Sequence, residues 1–263
     1  MTILTPVRWA QLLPEPSIEG ALNHAGQRDE TADQNTKRRW SERFAHACAV
    51  AIAVRLSEET PLANKRVLPK SIEGGTEPLT PLGSGTSKRI DVTVSDAMLG
   101  LEIGFSLKGL NFRDASSGNF DKNLTGRLYE LGDEVRLVHD HLPHAFMVGI
   151  FFLPINSTTD KTERANSSFA NAVLKLRERT GRLDAALAGQ SARCDVSYVG
   201  LYAPEQEDTG IKKGVCRFFE TIQRPPRRGR PIVSSTLSLE EMIKQVVAKA
   251  MNTTAQEWAE AEA

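Results

Sequence analysis

Two short segments of alternating polarity constrain the fold of this chain most strongly. In residues 88–95, and again in residues 101–108, apolar side chains fall at every second position. Alternation of this kind indicates β-strands that each have one apolar and one polar face. The stretch 96–100 between them is short enough to form a tight turn. The sequence therefore predicts a β-hairpin in which Asp91 and Lys108 project from the same polar face.

A carboxylate and a lysine on neighbouring strands can form a Mg²⁺-dependent phosphodiesterase centre. A carboxylate such as Asp91 binds a hard cation through oxygen, and the cation activates water and stabilises charge on a phosphate. Lys108 would orient the attacking water or neutralise the developing charge. The alternative interpretation is a half-exposed hairpin that carries ordinary surface charges.

The residues around Lys108 also resemble a known family. The run Ser-Leu-Lys-Gly-Leu-Asn-Phe from Ser106 to Phe112 resembles the PD-(D/E)xK nuclease superfamily, and in particular its restriction-endonuclease-like proteins. The resemblance implies that Asp91 is the metal-binding aspartate, that Lys108 is the superfamily's lysine and that Mg²⁺ is the cofactor. It also implies double-stranded DNA as the partner and allows a homodimer. Ser106 stands where the superfamily has a second carboxylate, and it would line the site.

A second carboxylate must then come from elsewhere in the chain. Glu102 lies on the same face of the strand as Lys108. It is six residues before Lys108, however, which is about 20 Å along the strand and too far for one metal site. Some members of the superfamily draw this acid from a nearby helix. Glu42, in a helix predicted from about residue 36 to residue 56, is therefore the candidate for catalysis and metal binding. The alternative for Glu42 is an ion pair with Arg38 or Arg39.

The remaining pattern predicts an α/β fold of the restriction-endonuclease-like type, with a mixed β-sheet flanked by helices. Residues 1–35 are expected to be turn-rich with one short helix at most, 36–235 to form the nuclease domain, and 236–263 to form a C-terminal helix and an acidic tail. The predicted helices cover about 36–56, 124–141, 163–179 and 239–250, and Asn35 or Thr36 is expected to cap the first of them. Further strands are predicted at 145–153, 194–202 and 214–221. The first of these strands is expected to be buried at the centre of the sheet.

Contacts with DNA must come from local basic patches, because the formal net charge of the chain is zero. One group of donors follows Lys108 and suits phosphates or base edges; it consists of Asn111, Arg113, Lys122, Asn123 and Arg127. A second group, Arg227, Arg228 and Arg230, lies in an Arg-Gly-Arg-Pro context that resembles the core of an AT-hook, a motif that enters narrow minor grooves. A solvated loop and a basic surface turn are the respective alternatives. A smaller basic cluster consists of Lys65, Arg66 and Lys70.

The histidines and cysteines offer weaker signals. His139, His141 and His144 lie close together at the end of a predicted helix, so a zinc hydrolase is a third hypothesis. The three cysteines lack paired metal spacing and are predicted to be buried core residues, as in a reducing cytoplasm. Neither a signal peptide nor an apolar run of bilayer-spanning length is present, so we expect a cytoplasmic protein.

Two functions from different classes follow from these patterns. The first is a Mg²⁺-dependent DNA endonuclease of the restriction type, which hydrolyses phosphodiester bonds. The second is a non-catalytic DNA-binding protein on a nuclease-like fold, and the serine at position 106 is the feature that favours it. Metal-dependent cleavage of plasmid DNA separates the two.

Overall fold

A computed structural model of the chain describes residues 7–74, 79–83, 85–182 and 190–261. Its centre is a six-stranded sheet with the strand order β1-β4-β5-β6-β7-β8, and a separate two-stranded sheet pairs β2 with β3. The strands are β1 (Arg66–Leu68), β2 (Leu79–Gly83), β3 (Thr86–Arg89), β4 (Val92–Asp96), β5 (Gly100–Gly109), β6 (Phe146–Pro154), β7 (Val196–Tyr202) and β8 (Cys216–Glu220).

The large sheet is mixed, as predicted. β4 pairs antiparallel with β1 and β5, β6 runs parallel to both β5 and β7, and β8 closes the sheet antiparallel to β7. The predicted hairpin is confirmed as β4 and β5. The apolar run 145–153 is confirmed as the central strand β6, whose residues are all buried. β7 and β8 are antiparallel partners, as their sequences suggested.

Helices cover both faces of this sheet. They are α1 (Pro16–Ala25), α2 (Gln34–Ser57), α3 (Leu124–His141), α4 (Ser168–Arg177) and α5 (Leu239–Ala261). Among the described residues, no helix is long and apolar enough to cross a membrane. The α/β fold class is therefore confirmed, with helices on both sides of a mixed sheet.

Three predicted helix boundaries are wrong, two of them because of a capping side chain. Asp33, rather than Asn35 or Thr36, caps α2, because its carboxylate accepts the N–H groups of both those residues. α4 begins at 168 instead of 163, because the hydroxyl of Ser167 caps it by accepting the N–H of Ala170. α5 continues to residue 261, well beyond the predicted end at 250.

Two apolar cores lie on opposite faces of the sheet. On one face α1, α2 and α5 pack through residues such as Phe44 and Ile243, and on the other face α3 and α4 pack through residues such as Leu131 and Val173. The long helix α2 buries side chains on more than one side, as its sequence predicts, and α1 packs against it. The N-terminal segment therefore contributes a helix to the core.

The proline- and glycine-containing stretch 57–87 contributes β1, β2 and the start of β3. Its basic cluster is less available than expected. The ammonium of Lys65 contacts the carboxylates of Asp96 and Glu102 at 3.0 and 2.8 Å. Glu102 of the hairpin therefore forms an ion pair, and the charge of Lys65 is neutralised by its two partners.

Candidate active site

A cleft of about 820 Å³ opens where β5 ends. One wall is the N-terminal half of α2, and the other is the loop 109–123 with the start of α3. The charged residues that line it are Lys37, Arg38, Lys108, Arg113, Lys122 and Arg127 together with Glu42, Asp91 and Asp114. Six cationic and three acidic side chains leave an excess of three positive charges, which favours a polyanion.

Asp91 and Lys108 meet at this cleft, as the alternation of the two strands predicts. Asp91 immediately precedes β4, and its Oδ2 accepts the backbone N–H of Leu107 at 2.6 Å. The antiparallel register that pairs Val92 with Phe105 sets Asp91 level with Ser106. The polar side of the hairpin thus brings the carboxylate and the lysine together.

Glu134 of α3 is the carboxylate that joins this pair. Its Oε2 lies 3.0 Å from the Nζ atom of Lys108, and it accepts a hydrogen bond of 3.2 Å from the hydroxyl of Ser106. Ser106 is fully buried and Glu134 is 6% exposed. An acid from a neighbouring helix therefore lies beside the serine that stands in the expected carboxylate position.

Lys108 is held as a cation. Burial, the largest single influence, favours the neutral amine, but the nearby charges of Glu134 and Asp91 together outweigh it and raise the pKa of Lys108. An ammonium at neutral pH cannot act as a general base. It can donate hydrogen bonds and neutralise negative charge that develops on a phosphate.

Glu42, the second acid suggested by the sequence, occupies a different position. Its side chain is 64% exposed and lies 3.6 Å from Arg38, which is the local pairing considered as the alternative. Glu42 lines the same cleft as Asp91 and Lys108, but Glu134 is the residue in contact with Lys108. Two acids of the loop 109–123 also form ion pairs: Asp114 pairs with Lys122, and Asp121 pairs with Lys161.

The sequence does contain a signal for Glu134. The core stripe of α3 consists of Leu131, Val135 and Val138, which are fully buried. Residue 134 lies on the same face, so a glutamate there breaks an apolar stripe. A buried carboxylate requires a partner, and Lys108 supplies it.

The predicted DNA contacts around the cleft differ in their surroundings. Arg113 donates to the carbonyl of Gly118 and lies over the ring of Phe120. Lys122 is exposed, and Arg127 pairs with Glu130 on the helix surface. Asn123 precedes α3 without a side-chain capping bond. Arg113, Lys122, Asn123 and Arg127 all line the cleft.

Asn111 differs from the solvated loop residue that was considered as its alternative. Only 3% of its surface is exposed, although it lines the cleft. Its side-chain oxygen accepts a hydrogen bond of 2.9 Å from the hydroxyl of Tyr202 at the end of β7. Tertiary contacts therefore fix this residue within the protein.

The arginine-rich segment forms an anchored turn, defined here as residues 227–231. Gly229 adopts a φ of 88°, which favours glycine, and its N–H donates to the carbonyl of Thr158 at 2.8 Å. The carbonyl of Arg227 accepts from Ser167 at 2.9 Å. The guanidinium groups also donate hydrogen bonds. Arg227 donates to the backbone carbonyl of Glu163, Arg228 to the backbone carbonyl of Thr159, and Arg230 to the hydroxyl of Thr209.

The same segment that anchors this turn also supports the cleft wall. Ser168, next to Ser167, accepts the N–H of Phe120 through its hydroxyl at 3.1 Å, and Phe120 lines the cleft. The side chain of Asp160 also accepts from Phe120 at 3.1 Å. The arginine turn and the cleft are thus attached to one scaffold although they are distant in sequence.

The three histidines do not converge. His139 is buried, with its ring nitrogens 2.8 and 3.1 Å from the carbonyl oxygens of Ser191 and Ala145, and His141 contacts the carbonyl of Leu137. Within the described residues, no group of three or more His, Cys, Asp or Glu side chains is arranged to hold a metal ion. This leaves the zinc hypothesis without a ligand set there. The cysteines Cys48, Cys194 and Cys216 are free and buried, as predicted.

Comparisons with protein-family models, curated proteins and solved structures found no match for this chain. The assignment of function therefore depends on the geometry of the cleft.

Proposed function

We propose that the protein is a Mg²⁺-dependent DNA endonuclease of the restriction type. The observation that carries this proposal is that Asp91 and Lys108 line a cleft with an excess of positive charge, and that the buried carboxylate of Glu134 contacts Lys108. Two carboxylates can hold a metal ion for phosphodiester hydrolysis, and a nearby ammonium can neutralise charge on the phosphate. The resemblance of residues 106–112 to PD-(D/E)xK nucleases supports the same reaction.

The donor set fits Mg²⁺. This ion prefers oxygen ligands, and proteins usually bind it through one or two carboxylates together with water and substrate phosphate. Asp91 and Glu134 would hold it, so a cluster of three protein ligands is not needed. When bound, the ion would supply an activated water and a Lewis acid for the phosphate.

The remaining groups of the site have roles that follow from their contacts. Lys108 would neutralise negative charge on the phosphate as it is attacked. Ser106 orients the Glu134 carboxylate through its hydroxyl. The cations on the two walls would position the sugar–phosphate backbone of duplex DNA across the cleft, with Arg113, Lys122 and Arg127 on the loop side.

Incubation with supercoiled plasmid tests this proposal. We expect nicking or linearisation in the presence of Mg²⁺ and none in the presence of EDTA. The Lys65→Ala variant serves as a control, because Lys65 is also a partly buried lysine with carboxylate partners but lies outside the cleft. A lack of metal-dependent cleavage by pure protein on unmodified DNA from several sources would contradict the endonuclease.

A non-catalytic DNA-binding protein is the second candidate. It is favoured by Ser106, which replaces a carboxylate of the superfamily pattern, and by Lys108, which is already paired with Glu134. This function predicts DNA binding that is retained without metal and is not followed by cleavage.

The arginine turn provides a prediction that both candidates share. Changing Arg228 and Arg230 together to alanine should weaken DNA binding and flatten its salt dependence. Each lost phosphate contact lowers the log–log slope of affinity against salt by about 0.9. The fold should survive, because the backbone hydrogen bonds of Gly229 and Arg227 remain and only the exposed side-chain hydrogen bonds to Thr159 and Thr209 are lost. Fluorescence anisotropy over a range of salt concentrations measures both quantities.

The control for this prediction is Arg136→Ala, which removes an exposed arginine of α3 outside both the cleft and the turn. An unchanged affinity and slope in the double variant would show that the turn is only structural. DNA contacts would then be confined to the cleft walls.

A further inference from the structure

Asn111 of the cleft lining is held through both its backbone and its side chain. The guanidinium of Arg28 donates twice to the backbone carbonyl of Asn111, from Nε at 2.9 Å and from Nη2 at 2.6 Å. The same guanidinium lies 5.0 Å from the ring centre of Phe112. A segment between α1 and α2 therefore holds the backbone that follows Lys108.

The side chain of Asn111 is fixed independently. Tyr202 is fully buried, and its ring lies 4.7 Å from that of Phe44. Burial, the largest influence, raises the pKa of Tyr202 far above its usual value, so the hydroxyl stays protonated and donates to Oδ1 of Asn111. Because Oδ1 accepts this hydrogen bond, the amide group of Asn111 has a defined orientation.

The amide nitrogen has no such partner. Nδ2 of Asn111 is buried and has no hydrogen-bond acceptor among the residues that the structure describes. A primary amide offers two N–H donors, and a buried donor without an acceptor costs free energy that a ligand atom can recover. An acceptor that enters the cleft would meet this need.

Gly109 makes room for this nitrogen. A Cβ atom at position 109 would lie 2.4 Å from Nδ2 of Asn111, so any larger residue would displace the amide. The unsatisfied donor therefore lies against the chain directly after Lys108.

We infer that Asn111 donates from Nδ2 to a non-bridging phosphate oxygen of the DNA strand in the cleft, and that Tyr202 is the positioning residue that orients this amide. The inference rests on the proposed function, because the cations of the cleft indicate which acceptor enters it. A neutral donor of this kind strengthens binding without releasing counterions. Its loss should lower affinity equally at every salt concentration, unlike the loss of a lysine or arginine contact.

Three variants test the inference: Tyr202→Phe, Asn111→Leu and the two combined. Binding of a fluorescently labelled duplex is measured over a range of salt, with Ca²⁺ in place of Mg²⁺ to prevent cleavage. Each single variant should bind about 10-fold more weakly, the effect expected for one hydrogen bond to a charged group. The slope against salt should stay at the wild-type value. The combined variant should bind no more weakly than Asn111→Leu, because Tyr202 acts through Asn111.

Matched controls separate this role from a general loss of structure. Tyr198→Phe removes another buried hydroxyl of β7, one that does not line the cleft, and it should bind as wild type. Lys122→Ala should lower the salt slope by about 0.9. If Asn111→Leu does not fold, Tyr202→Phe still decides the matter, because it keeps the packed ring.

Wild-type affinity in Tyr202→Phe or Asn111→Leu would overturn the inference while leaving the proposed function intact. So would additive losses in the combined variant, or a slope in Tyr202→Phe that falls as it does in Lys122→Ala. Absence of DNA binding by the wild-type protein would instead overturn the proposed function together with the inference.

Discussion

Replacing Lys108 with alanine is expected to lower the rate of Mg²⁺-dependent DNA cleavage by about 100-fold or more, the usual effect of removing a group that stabilises transition-state charge. Asp91→Ala should have an effect of at least this size, because it removes a metal ligand. Both effects are measured as initial rates of plasmid cleavage at saturating DNA.

The alanine at position 108 should also destabilise the protein. From the sequence alone, Lys108 lies on a polar strand face and its removal should leave the fold intact. The structure shows a buried ion pair, in which the lysine side chain is 13% exposed and the glutamate side chain 7%. Removing one partner of such a pair typically costs about 3–5 kcal/mol, so the melting temperature of Lys108→Ala should fall.

A double variant distinguishes loss of catalysis from loss of folding. Lys108→Leu/Glu134→Leu replaces both charges with apolar groups, a change that is often neutral or stabilising for a buried pair. It should recover much of the melting temperature of Lys108→Ala and none of its activity. Recovery of cleavage in the double variant would show that the pair is structural. Lys65→Ala, which disrupts an ion pair outside the cleft, should cleave DNA at the wild-type rate.

The main elements of the fold could be predicted because their sequence periods are strong. Alternation in 88–95 and 101–108 specifies which residues share a face, and it correctly placed Asp91 and Lys108 together. The apolar run 145–153 is too short for a long helix and is bounded by Pro154, so it is correctly identified as a buried strand. Helix boundaries were less accurate, because single capping side chains such as Asp33 and Ser167 decide them.

The tertiary contacts of the site could not be read in the same way. Glu134 lies 28 residues from Ser106 in sequence, and only the packing of α3 against the sheet brings them together. An arginine turn at 227–231 likewise shares a scaffold with the cleft through hydrogen bonds to residues 158–168. A sequence pattern shows which face of an element a residue occupies but not which element it meets.

The identity of the second acid gives the other large prediction. Glu134→Gln should lower the cleavage rate by at least about 100-fold, because a metal ligand contributes several kcal/mol to transition-state stabilisation. Glu42→Gln, which the sequence alone would expect to be inactive, should change the rate by less than about fivefold. Its side chain is exposed and forms an ion pair with Arg38, and surface pairs of this kind contribute at most about 1 kcal/mol.

Glutamine is the informative substitution at both positions. It keeps the size of glutamate and one oxygen acceptor, so the hydroxyl of Ser106 and the ammonium of Lys108 retain a partner when residue 134 is changed. Isothermal titration calorimetry with Mg²⁺ or Mn²⁺ provides a readout that does not depend on cleavage. Glu134→Gln should bind the ion more weakly than wild type, and Glu42→Gln should bind it equally well. The reverse result, with weak metal binding and lost activity only in Glu42→Gln, would assign the second acid to α2 and leave Glu134 as the structural partner of Lys108.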